Sequence, residues 1–202
     1  MIQPESNLSA PASVHSLSPP PASDAATLSQ LPAGRYTAEV RDANGTSGVA
    51  LVEMYDASIS PALDQVQLVN LSTRTATGSG DAALVGGFVI SSGAPVELLL
   101  RAIGPGLTQF DIPNPVSNPK ISIFRQISGD PPAPQLIDAN AQWGTHADLV
   151  TLASQSVGAF ALDPGSADAA MVVHLEPGVY SIVAEGTSEA PRIILLEIYQ
   201  IP

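Results

Sequence analysis

The chain contains no cysteine, which excludes disulfides, thiolate metal sites and a cysteine nucleophile. Cations are almost as scarce. Seven Lys or Arg stand against 19 Asp or Glu, and Lys120 is the single lysine. The resulting net charge of -12 opposes binding to nucleic acid or to anionic lipid, because phosphate contacts require clustered Lys or Arg. The same charge keeps a protein in solution and attracts divalent cations only weakly. No apolar run approaches the ~18 residues of a membrane span, so no membrane-spanning segment is expected. The opening MIQPESNLSAPASVHS has neither the basic nor the apolar region of a secretory signal. Aromatic residues are 4% of the chain, few for a surface that stacks sugars.

Apolar residues, in contrast, make up 45%, enough to fill the core of one large or two small domains. They are not spread evenly. Residues 1–23 form an arm rich in Ser, Ala and Pro, including SLSPPPAS at residues 16–23, which cannot build a core and is expected to be extended. From Leu31 onward, β-branched and apolar runs alternate with Gly, Pro, Asn and Ser clusters, the pattern of short strands. Strands are predicted near residues 35–41, 48–55, 66–71, 82–90, 96–103, 121–126, 169–175, 179–185 and 192–200. Asn44-Gly45 predicts a two-residue hairpin between the first two. Residues 112–119 read as loop, since their prolines cannot donate ladder hydrogen bonds. One helix is predicted over Thr145–Phe160, with Leu149, Leu152, Ala153 and Val157 on its apolar face and Gly158 at its end. The expected fold is all-β: a jelly-roll-like β-sandwich with one short helix as a lid across one end, preceded by the arm and a β-hairpin.

The chain also repeats itself. Residues 24–56 align without a gap to residues 168–200, and nine of the 33 pairs are identical. These are Asp24/Asp168, Ala25/Ala169, Ala26/Ala170, Leu31/Leu175, Gly34/Gly178, Tyr36/Tyr180, Leu51/Leu195, Glu53/Glu197 and Tyr55/Tyr199. Most other pairs exchange like for like, so the match reads as a duplication. A module about as long as that offset of 144 residues, ending at Pro202, would begin near Ile59. Residues 59–202 are then expected to be one complete module, and residues 24–58 the tail of a preceding repeat. A lone hairpin is marginal in water, and its apolar side must join another sheet.

The motifs of the complete copy resemble the repeat modules of large secreted, surface-associated bacterial proteins. The matching stretches are Ala83–Ile90, Leu98–Leu107, Asn140 with Trp143, Ala147–Phe160, Asp168–Ala170, Pro177–Tyr180 and Leu195–Tyr199. The resemblance covers residues 66–202 once and residues 24–56 as a second tail. It implies a β-sandwich in an extracellular or cell-surface setting, usually in tandem, and brings no catalytic activity with it. The sequence departs from that pattern at Ser188-Glu189-Ala190-Pro191, where a Gly/Thr-rich turn is usual.

Sites for chemistry are weak. There is no Gly-x-Ser-x-Gly, His15, His146 and His174 are scattered, and the acids are dispersed over turns, so neither a triad nor a carboxylate pair stands out. No enzyme and no cofactor are expected. Asp42/Asn44 and Asp138/Asn140 offer oxygens at calcium-loop spacing, and Asx turns explain them equally well. Trp143 and the tyrosines Tyr36, Tyr55, Tyr180 and Tyr199 read as packing residues. The glycines at 78–80 and 86–87 do not precede helices and are no phosphate cradle.

The expected function is that of an extracellular structural subunit which self-assembles into a filament or fibre. Its N-terminal arm and hairpin would dock on a neighbouring copy by β-strand addition. The interface residues are Tyr36, Ala38, Val40, Val49, Leu51 and Tyr55, with Pro19, Pro20 and Pro21 laid along the acceptor. Two alternatives share these features: a monomeric surface stalk that binds glycan, and a jelly-roll shell protein.

Overall fold

The structure is a computed structural model that describes residues 15–16, 25–46, 48–55, 68–91, 93–128, 133–187 and 191–202. Two compact units divide the chain, Met1–Gln67 and Leu68–Pro202. The arm prolines Pro19, Pro20 and Pro21, the expected boundary at Ile59 and the turn residues 188–190 lie outside the described residues.

In the first unit, β1 (His15–Ser16) pairs antiparallel with β2 (Thr27–Leu28). Residues 35–41 and 48–55, predicted as a strand pair, form no ladder. The predicted turn is there in altered form. The Gly45 N–H reaches the Asp42 carbonyl at 3.2 Å, and Gly45 takes φ +74° while Asn44 does not enter the left-handed region. A two-residue hairpin loop of the Asn-Gly type needs positive φ at both positions. The turn is instead closed by Asp42, whose Oδ1 accepts from the Asn44 and Thr46 N–H groups at 2.8 and 2.9 Å.

The second unit is an eight-stranded antiparallel sandwich. Its strands are β3 (Asn70–Thr77), β4 (Leu84–Ile90), β5 (Val96–Ile103), β6 (Lys120–Ile127), β7 (Ala133–Asn140), β8 (Ala169–Leu175), β9 (Gly178–Glu185) and β10 (Arg192–Gln200). One sheet has the order β3-β10-β5-β8 and the other β4-β9-β6-β7. Apart from β6 and β7, which pair in one sheet, successive strands switch sheets, and the last strand returns beside the first, the double Greek-key order of a jelly roll. The first strand of the sandwich runs further along the chain than predicted. β7 was not predicted because Pro134 and Asp138 interrupt its apolar pattern. It lies at a sheet edge, where a proline costs no ladder partner on its open side.

Between the sheets, Leu98, Leu100, Ile121, Ile123, Met171, Ile182, Ile194 and Leu196 form the main core. A second core lies on the opposite face of the β3-β10-β5-β8 sheet. There Leu99, Ile103, Leu107, Trp143, Val150, Ala153 and Leu162 pack together, with Leu195 and Tyr199 against them. The sheet is thus covered on both sides, as the two-sided apolar run Ile193–Leu196 requires. The cover on this second face includes α1 (Ala147–Ser156), so the helix lies over a sheet face and is not a lid across an end. Its buried side is Val150, Ala153 and Ser154, whereas Leu149 and Leu152 are exposed. Small Ala153 and Ser154 let the helix approach the sheet closely, which the larger leucines would prevent. The outer face of the other sheet carries exposed Val85, Val89, Val179 and Leu136.

Candidate assembly interface

Three of the sequence motifs meet at one end of β5. The strand stops at Gly104 because the chain passes against another loop: a Cβ there would stand 2.0 Å from the Val116 carbonyl oxygen. The turn that follows is held by fully buried Asp168. Its Oδ1 accepts from the Gly104 N–H at 2.8 Å, and its Oδ2 accepts from the Gly106 N–H at 3.1 Å and the Ser166 hydroxyl at 2.8 Å. Trp143 donates from Nε1 to Ser166 Oγ at 3.1 Å and from its backbone to the Asp168 carbonyl. Asn140 Oδ1 accepts from the Gln142 and Ala170 N–H groups. Asp168 is therefore a structural clasp, Asn140 an Asx turn, and Trp143 a plug in the second core.

Two strands further into the sheet, the ladder sets Glu197 of β10 directly opposite Arg101 of β5. Arg101 is 0% exposed and Glu197 5%. Arg101 Nε stands 3.0 Å from Glu197 Oε2, an ion pair whose alignment falls short of a hydrogen bond. The guanidinium also donates from Nη1 to the Phe160 carbonyl at 2.8 Å and lies over the Phe160 ring, 4.3 Å from its centre. Tyr199 donates its hydroxyl to Glu197 Oε1 at 2.8 Å. Burial pushes the Glu197 carboxyl above its ordinary range, opposed by the Arg101 charge and the Tyr199 hydrogen bond. Neither Arg101 nor Glu197 stood out in the sequence. The signal available was a single charge inside each of two apolar runs, LLLRAI and LLEIY.

Residues 24–56 rebuild the local part of this arrangement. Tyr180 donates its hydroxyl to the Glu176 carbonyl at 2.7 Å, and Tyr36 donates to the equivalent Pro32 carbonyl at the same distance. In each copy the tyrosine ring folds over the glycine two residues before it. A Cβ on Gly178 or Gly34 would stand 3.3 Å from the ring or hydroxyl of its own tyrosine. Tyr55 donates to Glu53 Oε1 at 3.0 Å, as Tyr199 does to Glu197. That bond, together with the Glu53 charge, pushes the exposed Tyr55 phenol upward.

The two copies differ in cover. Tyr36 is 54% exposed where Tyr180 is 3%, and Val52 is 56% exposed where Leu196 is 3%. Met54 is 52% exposed where Ile198 is 9%. Ala38, Val40, Val49, Leu51 and Tyr55, the remaining sequence-predicted interface residues, are exposed as well. Their counterparts Ile182, Ala184, Ile193, Leu195 and Tyr199 belong to the two cores or pack against them. The absent ladder between residues 35–41 and 48–55 has its reason here: the equivalent strands β9 and β10 lie in different sheets and never pair with each other. In the C-terminal copy the passage joins two sheets.

Among the described residues no three His, Asp or Glu side chains converge on a metal position. Exposed Asp42 spends its carboxylate on its own turn, and the N–H groups of Thr46 and Asn44 hold it below the usual carboxylate range. His174 is exposed on β8, and His146 ends the turn before α1. No described helix is long and apolar enough to cross a membrane.

The chain is a jelly-roll β-sandwich that carries a second copy of its own last three strands in sequence. No family model, no curated protein and no solved structure matches it.

Proposed function

We propose that this chain is a non-catalytic structural subunit that works outside the cell or at its surface. It self-assembles into a filament by docking residues 24–56 on a neighbouring subunit. The observation that carries the reading is the contrast between the copies. The same residues that are buried as β9 and β10 in the C-terminal copy are exposed in the N-terminal one, although both keep the same tyrosine contacts. Exposed apolar strand sequence with a defined local shape is the material of β-strand complementation. Donor and acceptor surfaces differ, so the contact is heterologous and propagates. The resemblance to tandem surface modules supports the extracellular setting.

The test compares the full chain with one that begins at Leu68, the first residue of the second compact unit. By light scattering the full chain should assemble and the shortened one should remain a folded monomer, with electron micrographs separating a filament from a closed shell. Equal assembly by the two chains would overturn the reading.

A further inference from the structure

The free edges of β3 and β4 lie on one side of the sandwich. The two strands follow each other through the short turn Gly80–Ala82, and each is an outer strand of its sheet. Among the described residues β3 pairs only with β10 and β4 only with β9, so both present a row of unpaired N–H and C=O groups. The opposite side is less open. There β7 carries Pro134, Asp138 and a register shift against β6, devices that discourage strand addition, and α1 packs beside Ala170 and Val172 of β8. β4 has neither charge nor proline. Its Leu84, Phe88 and Ile90 stay half-buried at the margin of the main core.

We infer that this side, the free edges of β3 and β4 on a second copy of the chain, receives residues 34–56. The complete copy supplies the geometry. β9 runs antiparallel to β4 and β10 antiparallel to β3, so one segment passing from sheet to sheet meets both strands. Residues 34–41 and 48–56 repeat β9 and β10, and they take the same directions along the free sides of β4 and β3, one new strand for each sheet. In the register of β9, Tyr36 comes opposite Phe88, whose ring already stacks on Tyr180 with centres 5.4 Å apart. In the register of β10, Glu53 comes opposite Ser72 and diagonal to Arg74, within reach of long side chains. Arg74 is exposed and forms no ion pair among the described residues. Tyr55 holds one oxygen of the Glu53 carboxylate, which leaves the other for the guanidinium. Donor and acceptor are different surfaces of each chain, so the contact repeats from copy to copy. This inference rests on the assembly reading and adds the site that accepts the segment.

The test exploits the absence of cysteine. Full-length chains carrying Glu53→Cys are mixed with full-length chains carrying Ser72→Cys and oxidised. A disulfide joining the two kinds should form much faster than one between Glu53→Cys and Asp138→Cys, which lies on the opposite edge. By light scattering, Arg74→Glu should raise the concentration needed for assembly about fivefold, as should Glu53→Arg. The two exchanges together should restore the parental value, while Asp138→Lys leaves it unchanged. A full chain that stays monomeric overturns the assembly reading and the inference with it. A chain that assembles, yet is indifferent to Arg74→Glu or joins residues 72 and 138 to residue 53 equally fast, overturns the inference alone.

Discussion

Removing Glu197 should damage this sandwich far more than removing its partner Arg101. In Glu197→Ala the guanidinium stays fully buried. It keeps the Phe160 carbonyl and ring and loses the carboxylate paired with it. An arginine cannot shed its proton at such a site, and stranding one partner of a buried ion pair costs about 3–5 kcal/mol. In Arg101→Met the carboxylate left behind has two escapes. It retains the Tyr199 hydroxyl, and burial already raises its proton affinity, so it can go neutral. The expected loss is therefore smaller, on the order of 1–3 kcal/mol. With Glu197→Met added to Arg101→Met, two apolar side chains fill the space and stability should return to within about 1 kcal/mol of the parent, or exceed it. Urea unfolding of the four proteins gives the coupling energy directly. Against a total of about 5–15 kcal/mol for a domain, the first loss is large enough to read without ambiguity. An Arg101→Met variant as unstable as Glu197→Ala, or a double variant no better than either, would refute the reasoning.

Two further outcomes follow from the same packing. The folded Glu197 carboxyl holds its proton more tightly than the unfolded chain does, so its contribution to stability is full below the ordinary value of 4.5 and is lost as pH rises through and above it. Urea midpoints across that range should fall with pH in the parent, and Glu197→Gln should lose that component of the fall. Gly104→Ala would put a methyl group 2.0 Å from a backbone oxygen, whereas at Gly86 it would meet the end of the Leu196 side chain at 3.0 Å. Overpacking costs about 1–3 kcal/mol, and melting temperatures should place Gly104→Ala at or above the top of that range and Gly86→Ala near the bottom.

The sandwich was legible because its strands obey local rules. Apolar runs bounded by turn residues mark β4, β5 and β9, and the two-sided runs of β5 and β10 announce covered central strands. β7 was hidden because an edge strand carries little apolar signal, and its Pro134 reads as a loop residue until the open edge is seen. Half of the expected helix face, Ala153 and Val157, packs on the second core, while Leu149 and Leu152 are exposed because residues three and four apart satisfy the spacing on either side of a short helix. Packing against β5 and β8 selects the side with Ala153 and Ser154. Arg101, Glu197 and Asp168 could not be found by counting, since their partners lie far along the chain and no periodicity joins a charge on one strand to a charge on another. The repeat itself was legible, yet its geometry was not. An Asn-Gly between two apolar runs predicts adjacent strands, whereas residues 35–41 and 48–55 form none and their equivalents β9 and β10 lie in different sheets.

That distinction decides what kind of contact residues 24–56 can make. A hairpin adds to one edge and needs only a row of unpaired backbone groups. In the complete copy the equivalent strands β9 and β10 lie in two sheets, so the same contacts cannot be reproduced along one edge. The division of labour within the segment follows the same line. The tyrosine contacts of Tyr36 and Tyr55 and the Asp42 turn form with the segment exposed, so they belong to the local sequence and reduce the freedom lost when it docks. The ladders are missing for the opposite reason, because every one of them in the complete copy ends on a residue outside the tail. A segment so prepared gains little from a generic apolar surface, which would leave its backbone groups unpaired.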